Sequence, residues 1–205
     1  MLLTRHFVFV HVPKTGGNFV LKVLADHAPA DWELQRVDDH ATVADIPPSH
    51  LHLPRLAFVR NPFSWYVSWF HFQQREQDPF FLQVSDGGRR SFAETMHYAF
   101  TGDGPLAASA GALTTTLFEM LGDGLAGAQI GRMEAIRTEL LALLGACTEL
   151  PTPLRRAIRF EPRRNTSAHH HYSHYYDDEL RAVIRTKDAP VFEFFGYEWE
   201  DGPAG

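Results

Sequence analysis

Lys14, Thr15, Gly16, Gly17 and Asn18 stand in one contiguous group, PKTGGN with the proline before them, and that order of residue types suits anion binding. Gly16 and Gly17 permit a tight turn, and Asn18 can cap a helix behind it. Backbone N–H groups of such a loop, with the first amides of the helix, form a cradle for a phosphate or an analogue of one. Lys14 adds a positive charge at its rim. A second basic residue occupies a comparable place downstream. Arg60 lies at a strand-to-helix junction and Ser68 follows eight residues later. That is about two helical turns, so the two side chains can lie along one side.

The elements that must position these groups are readable from hydropathy and breakers. Phe7–Val12 is an apolar, β-branched and aromatic strand that Pro13 stops. The stretch from Asn18 to His27 places Phe19, Val20, Val23 and Leu24 at helical spacing, and Pro29 ends it. Trp32–Val37 is a short strand candidate, and Asp38, Asp39 and His40 precede a short helical reading through Ala44 that Pro47 and Pro48 close. Leu56–Val59 is a brief buried strand, after which Asn61 and Pro62 start a helix with Phe63, Val67 and Phe70 inward. Asp78–Gly88 and Thr101–Gly111 read as loops, and Ser91–Phe100 and Thr114–Leu121 as helices. Ala128–Ile130 is a weak strand and Met133–Leu144 an amphipathic helix. Pro151 and Pro153 then break the chain. Arg155, Arg156, Arg159, Arg163 and Arg164 form the densest basic run, for which a solvated face is the ordinary meaning. A last helix spans Asp177–Thr186, and the aromatic tail Val191–Trp199 packs on the core. Two strand-loop-helix junctions are the pattern of an open α/β sheet whose strand ends share one ligand crevice.

Composition sets the outer bounds. The chain has 205 residues, 44% hydrophobic and 21% charged, which suits a single globular domain over residues 1–205 with a substantial core. A formal net charge of −6 argues against a protein that coats a nucleic acid polymer. Cys147, the one cysteine, cannot form an internal disulfide, and its apolar surroundings suggest a buried thiol. The first twelve residues are too short to span a membrane and lack a small-residue cleavage site, so the expectation is a cytoplasmic protein with no membrane span.

The lysine precedes the two glycines, whereas a Walker A loop needs it after the second, which disfavours a nucleoside triphosphatase. PKTGG after a first strand instead resembles the 5′-phosphosulfate loop of sulfotransferases that use 3′-phosphoadenosine 5′-phosphosulfate (PAPS). FVRNPFSWYVS, from Phe58 to Ser68, resembles the 3′-phosphate motif of the same family. The pattern NTSAHHHYSHYYDDELRAVI with the later FEFFGY is similar to its C-terminal part, including its carbohydrate branch. Between Phe72 and Ala128 the resemblance is weak, and acceptor recognition is expected largely there.

The resemblance implies an open, mainly parallel sheet flanked by helices in a P-loop nucleoside-triphosphate-hydrolase-like sulfotransferase fold. It implies in-line transfer of a sulfuryl group from PAPS to a hydroxyl, with an amine second in preference, on a carbohydrate or small-molecule acceptor. Lys14 is expected to stabilise charge on the departing phosphate. Thr15, Gly16, Gly17 and Asn18 are expected to hold the 5′-phosphosulfate, and Arg60 and Ser68 the 3′-phosphate. Arg163 and Arg164 are candidates to close over the nucleotide. The product is 3′-phosphoadenosine 5′-phosphate (PAP), and no metal is required. Of the twelve histidines, His40 is the candidate base, because its segment resembles in position and pattern the one that supplies the base in uronyl 2-O-sulfotransferases. A helix-capping role is the competing explanation for His40, and Asp39 could orient its ring. His11, inside the first strand, reads as a buried, hydrogen-bonded residue. His170 and His174 would share a helical face, yet the surroundings lack a zinc-binding frame. Two other functions fit the same cradle: a kinase or other phosphoryl transferase on a related fold, and a noncatalytic nucleotide-binding module.

Overall fold

The structure, a computed structural model, describes residues 1–39, 41–122, 125, 127–162 and 170–202. The helices are α1 (Gly17–His27), α2 (Pro62–Glu76), α3 (Pro79–Val84), α4 (Phe92–Phe100), α5 (Ala112–Leu121), α6 (Ile136–Cys147), α7 (Thr152–Phe160), α8 (Asp178–Lys187) and α9 (Ala189–Phe195). The strands are β1 (Leu2–Leu3), β2 (Val8–Phe9), β3 (Gln35–Arg36), β4 (Arg55–Val59) and β5 (Ala128–Arg132). Two compact units result: Met1–Arg60 with Thr116–Thr166, and Asn61–Thr115 with Ser167–Gly205.

The first unit carries the sheet, in the order β3-β1-β2-β4-β5. β1 pairs antiparallel with β2 and with β3, while β2–β4 and β4–β5 are parallel. The longest ladder, Arg55 to Val59 against Ala128 to Arg132, is parallel. α1, α6 and α7 supply Val20, Leu24, Ile136, Leu140, Leu144, Leu154 and Ile158 to a core with Phe7, Phe9, Leu56 and Phe58 of the strand segments. The near-continuous burial of Leu56–Val59 is what a strand with both faces covered requires. β1 was not expected, being only two residues long. It turns into β2 through Thr4, whose hydroxyl donates to the Phe7 carbonyl (2.8 Å) and accepts from the Phe7 amide (2.9 Å).

α7 replaces the expected break at Pro151 and Pro153. Proline is tolerated in a first helical turn, where its missing N–H is not needed. Pro151 is the N-cap and Pro153 lies inside the first turn. Leu154 and Ile158 face inward while Arg155, Arg156 and Arg159 are exposed, so the described part of the basic run is a solvated face. Cys147 ends α6 half-buried rather than buried, and desolvation raises its thiol above the ordinary value.

The second unit is helical. α2 starts as anticipated: the Asn61 side chain accepts from the Phe63 amide (3.0 Å) and Pro62 takes the first turn. Phe63 meets Tyr172, Tyr176, Phe192 and Trp199 at ring-centroid distances of 5.0–5.9 Å. α3 falls in a stretch expected to be loop, with the Asp78 side chain capping the Phe81 amide at 3.0 Å. Six residues are too few to show a helical period. The C-terminal tail becomes α9, burying Val191, Phe192 and Phe195. Among the described residues, no helix is long and apolar enough to cross a membrane.

Candidate functional site

The PKTGG loop leaves β2 through His11 and Val12 and turns into α1. Thr15 is 1% exposed and its hydroxyl donates to the Val12 carbonyl at 2.8 Å, so the loop folds back on the strand that delivers it. Lys14 has φ 65°, on the left-handed side that a residue with a Cβ enters at a cost. Gly16 has φ 88° and ψ 6° and is the N-cap. Asn18, expected to cap the helix, is therefore a first-turn residue and exposed. As a glycine, the N-cap offers no side chain to this N-terminus, and no acidic residue occupies its first turn. The first-turn amides and the positive end of the helix dipole thus stand where the sequence anticipated an anion.

Gly17 lacks room for a Cβ, and at Gly16 the positive φ adds to a close neighbour. A Cβ on Gly17 would lie 2.0 Å from His11 Cδ2 and 2.5 Å from His11 Nε2. One on Gly16 would lie 2.5 Å from Ile136 Cδ1. The loop is therefore pressed between the His11 ring and the start of α6. Sequence reasoning missed both walls. Ile136 leaves no local signal, since its contact is tertiary; His11 could have been suspected because it closes the strand that feeds the loop.

Arg60, at the end of β4, is 8% exposed and its guanidinium Nη1 donates to the Lys14 carbonyl at 3.3 Å. The first residue of the downstream motif is thus brought against the loop. Ser68 lies on α2 in the second unit, 6% exposed. His40, Arg163 and Arg164 lie outside the described residues. Asp39, expected as an orienting group, is engaged by Arg36, which donates to both carboxylate oxygens (2.9 Å and 2.8 Å). That hydrogen bonding is the main cause of an Asp39 carboxyl held below its ordinary pKa, with His11 among the smaller contributors.

The other histidines separate by environment. His170 and His174 have ring centroids 5.5 Å apart, and His171 Nδ1 lies 2.9 Å from the Ser173 hydroxyl. Among the described residues, the group whose ligating atoms lie mutually within 4.8 Å is Asp26, His27 and Glu161. His27 already faces Glu161 at 3.6 Å, and Asp26 is paired with Lys22.

Comparison with protein-family models and with curated proteins returned no match. Among solved structures, the chain is similar to the crystal structure of mouse sulfotransferase SULT7A1 complexed with PAP. The identity is 13%, the match covers 92% of this chain and 83% of that one, and the TM-score is 0.51. At that identity the likeness is one of fold. The chain has an α/β sulfotransferase fold: a mixed, mostly parallel sheet flanked by helices, with the PKTGG loop between β2 and α1.

Proposed function

We propose that the protein is a PAPS-dependent sulfotransferase acting on a hydroxyl, with an amine second in preference, of a carbohydrate or small-molecule acceptor. The observation that carries the reading is the Arg60–Lys14 hydrogen bond, which joins the two motifs a bipartite nucleotide site would need. The fold supports it, since the similar mouse sulfotransferase was solved with PAP. The residues present suit the nucleotide: the first-turn amides of α1, a cation at Lys14, and a guanidinium at Arg60. PAPS supplies an activated sulfuryl group when bound. In this reading Thr15, Gly16, Gly17 and Asn18 hold its 5′-phosphosulfate end, and Arg60 and Ser68 hold the 3′-phosphate. Arg163 and Arg164 add charge over the nucleotide.

The acceptor oxygen attacks sulfur as the bond from sulfur to the 5′-phosphate oxygen breaks, releasing PAP. Lys14 neutralises the charge that grows on that oxygen, and His40 accepts the acceptor's proton. The proposal covers the whole chain as one cytoplasmic sulfotransferase domain with no metal requirement. Mixing the protein with labelled PAPS and a panel of sugars and hydroxylated small molecules tests it. Lys14→Ala should lower transfer by about a hundredfold or more. His40→Ala should keep PAP affinity while losing transfer by a similar factor. Turnover of ATP with magnesium in place of PAPS, or undiminished transfer by Lys14→Ala, contradicts the reading.

A further inference from the structure

A cavity of about 450 Å³ lies in the first unit beside α1, within the range of small-molecule sites. Asn18, Leu21, Lys22 and Ala25 form one wall, spaced as a single helical face, and Leu2, Leu34 and Arg36 line it from β1 and the β3 segment. Asn18 belongs both to this wall and to the first turn of the cradle helix, so the cavity begins where the cradle ends. The sheet order gives the cavity a side. The cradle follows β2, Arg60 follows β4 on one flank, and the cavity lies toward β1 and β3 on the other. A nucleotide running from the cradle to Arg60 leaves this flank to the second substrate.

The lining is selective in chemistry. Leu2 and Leu21 are buried and give an apolar floor. Lys22 and Arg36 bring two cations against a single lining carboxylate, Asp26. Both cations are held in exposed ion pairs, Lys22 with Asp26 and Arg36 with Asp39. Exposed pairs contribute at most about 1 kcal/mol, so neither cation is firmly committed to its carboxylate.

We propose that this cavity is the acceptor subsite and takes an amphiphilic hydroxy acid: an apolar or aromatic body on the leucines, a carboxylate at Lys22 and Arg36, and a hydroxyl directed to the cradle. This rests on the sulfotransferase reading for its role, and the test separates the two. Hydroxynaphthoate and its neutral counterpart hydroxynaphthamide are titrated into the full chain without nucleotide, and PAP is titrated separately. The acid should bind roughly fivefold or more tightly than the amide. Ala25→Trp, which plugs the cavity from an exposed position, should abolish binding of both. The double variant K22E/R36E should reverse the preference for the acid while leaving PAP affinity within about twofold. Equal binding of acid and amide, or full binding by Ala25→Trp, overturns the subsite. PAP affinity lost in K22E/R36E also overturns it, since the cavity would then belong to the nucleotide. Failure of wild-type protein to bind PAP overturns the sulfotransferase reading instead, whereas the acid and amide titrations still decide what the cavity binds.

Discussion

Lys14 is held at φ 65°, where glycine would rest without a steric penalty. A side chain retained in such a backbone position points to use of that side chain. Lys14→Gly should therefore raise stability by about 1 kcal/mol in chemical denaturation while removing transfer activity. A variant that is both less stable and inactive would mean that the lysine also holds the loop together. Gly17 makes a complementary case, because the His11 ring occupies the place of its missing Cβ. Gly17→Ala should weaken PAP binding and stability together, and His11→Ala in the same chain should restore much of the stability. Additive losses in that double-mutant cycle would show that the clash is not the cause.

At the level of elements, Asp188 stands between α8 and α9 and accepts from the Tyr66 hydroxyl (2.7 Å), the Thr114 amide (2.8 Å) and the Thr114 hydroxyl (2.7 Å). These bonds tie α2 and α5 to the α8–α9 junction inside the second unit. Gly111 gives the carboxyl room, since a Cβ there would lie 2.2 Å from it. Asp188→Ala, leaving those donors buried, should cost about 3 kcal/mol. Burial raises the Asp188 pKa, with the hydrogen bonds from Tyr66 and Thr114 pulling the other way. A raised folded-state value means that the folded protein binds this proton more tightly than the unfolded chain. Asp188 therefore favours folding most at pH below its unfolded value of 3.8, and that advantage shrinks as pH rises through the folded value. Denaturation of wild type and Asp188→Asn across acid to neutral pH should show the difference moving toward the asparagine variant as pH rises. A pH-independent difference would contradict this.

Over the whole molecule, the parts legible in sequence are those whose chemistry is local. The PKTGG turn, the Asn61-Pro62 helix start and the strand at Leu56–Val59 each carry their signal within a few consecutive residues, and the structure has them. The walls of the cradle were not legible, because His11 on Gly17 and Ile136 on Gly16 are set by packing between separate segments. α7 was hidden by prolines that act as helix starters, α3 by its brevity, and β1 by having only two residues. The cap position of α1 moved from Asn18 to Gly16 because the left-handed turn ends there. The proposed function needs a bipartite nucleotide site. Its central claim is that Arg60 and Ser68 read a 3′-phosphate beyond the anion cradle. PAP and 5′-adenosine monophosphate differ only in that phosphate, so calorimetric titration of both against wild type, Arg60→Ala and Ser68→Ala isolates the claim. PAP should bind wild type about a hundredfold more tightly, and both variants should lose most of that preference while keeping affinity for the monophosphate. Equal affinity of wild type for the two nucleotides, or a preference for PAP untouched in both variants, would contradict it.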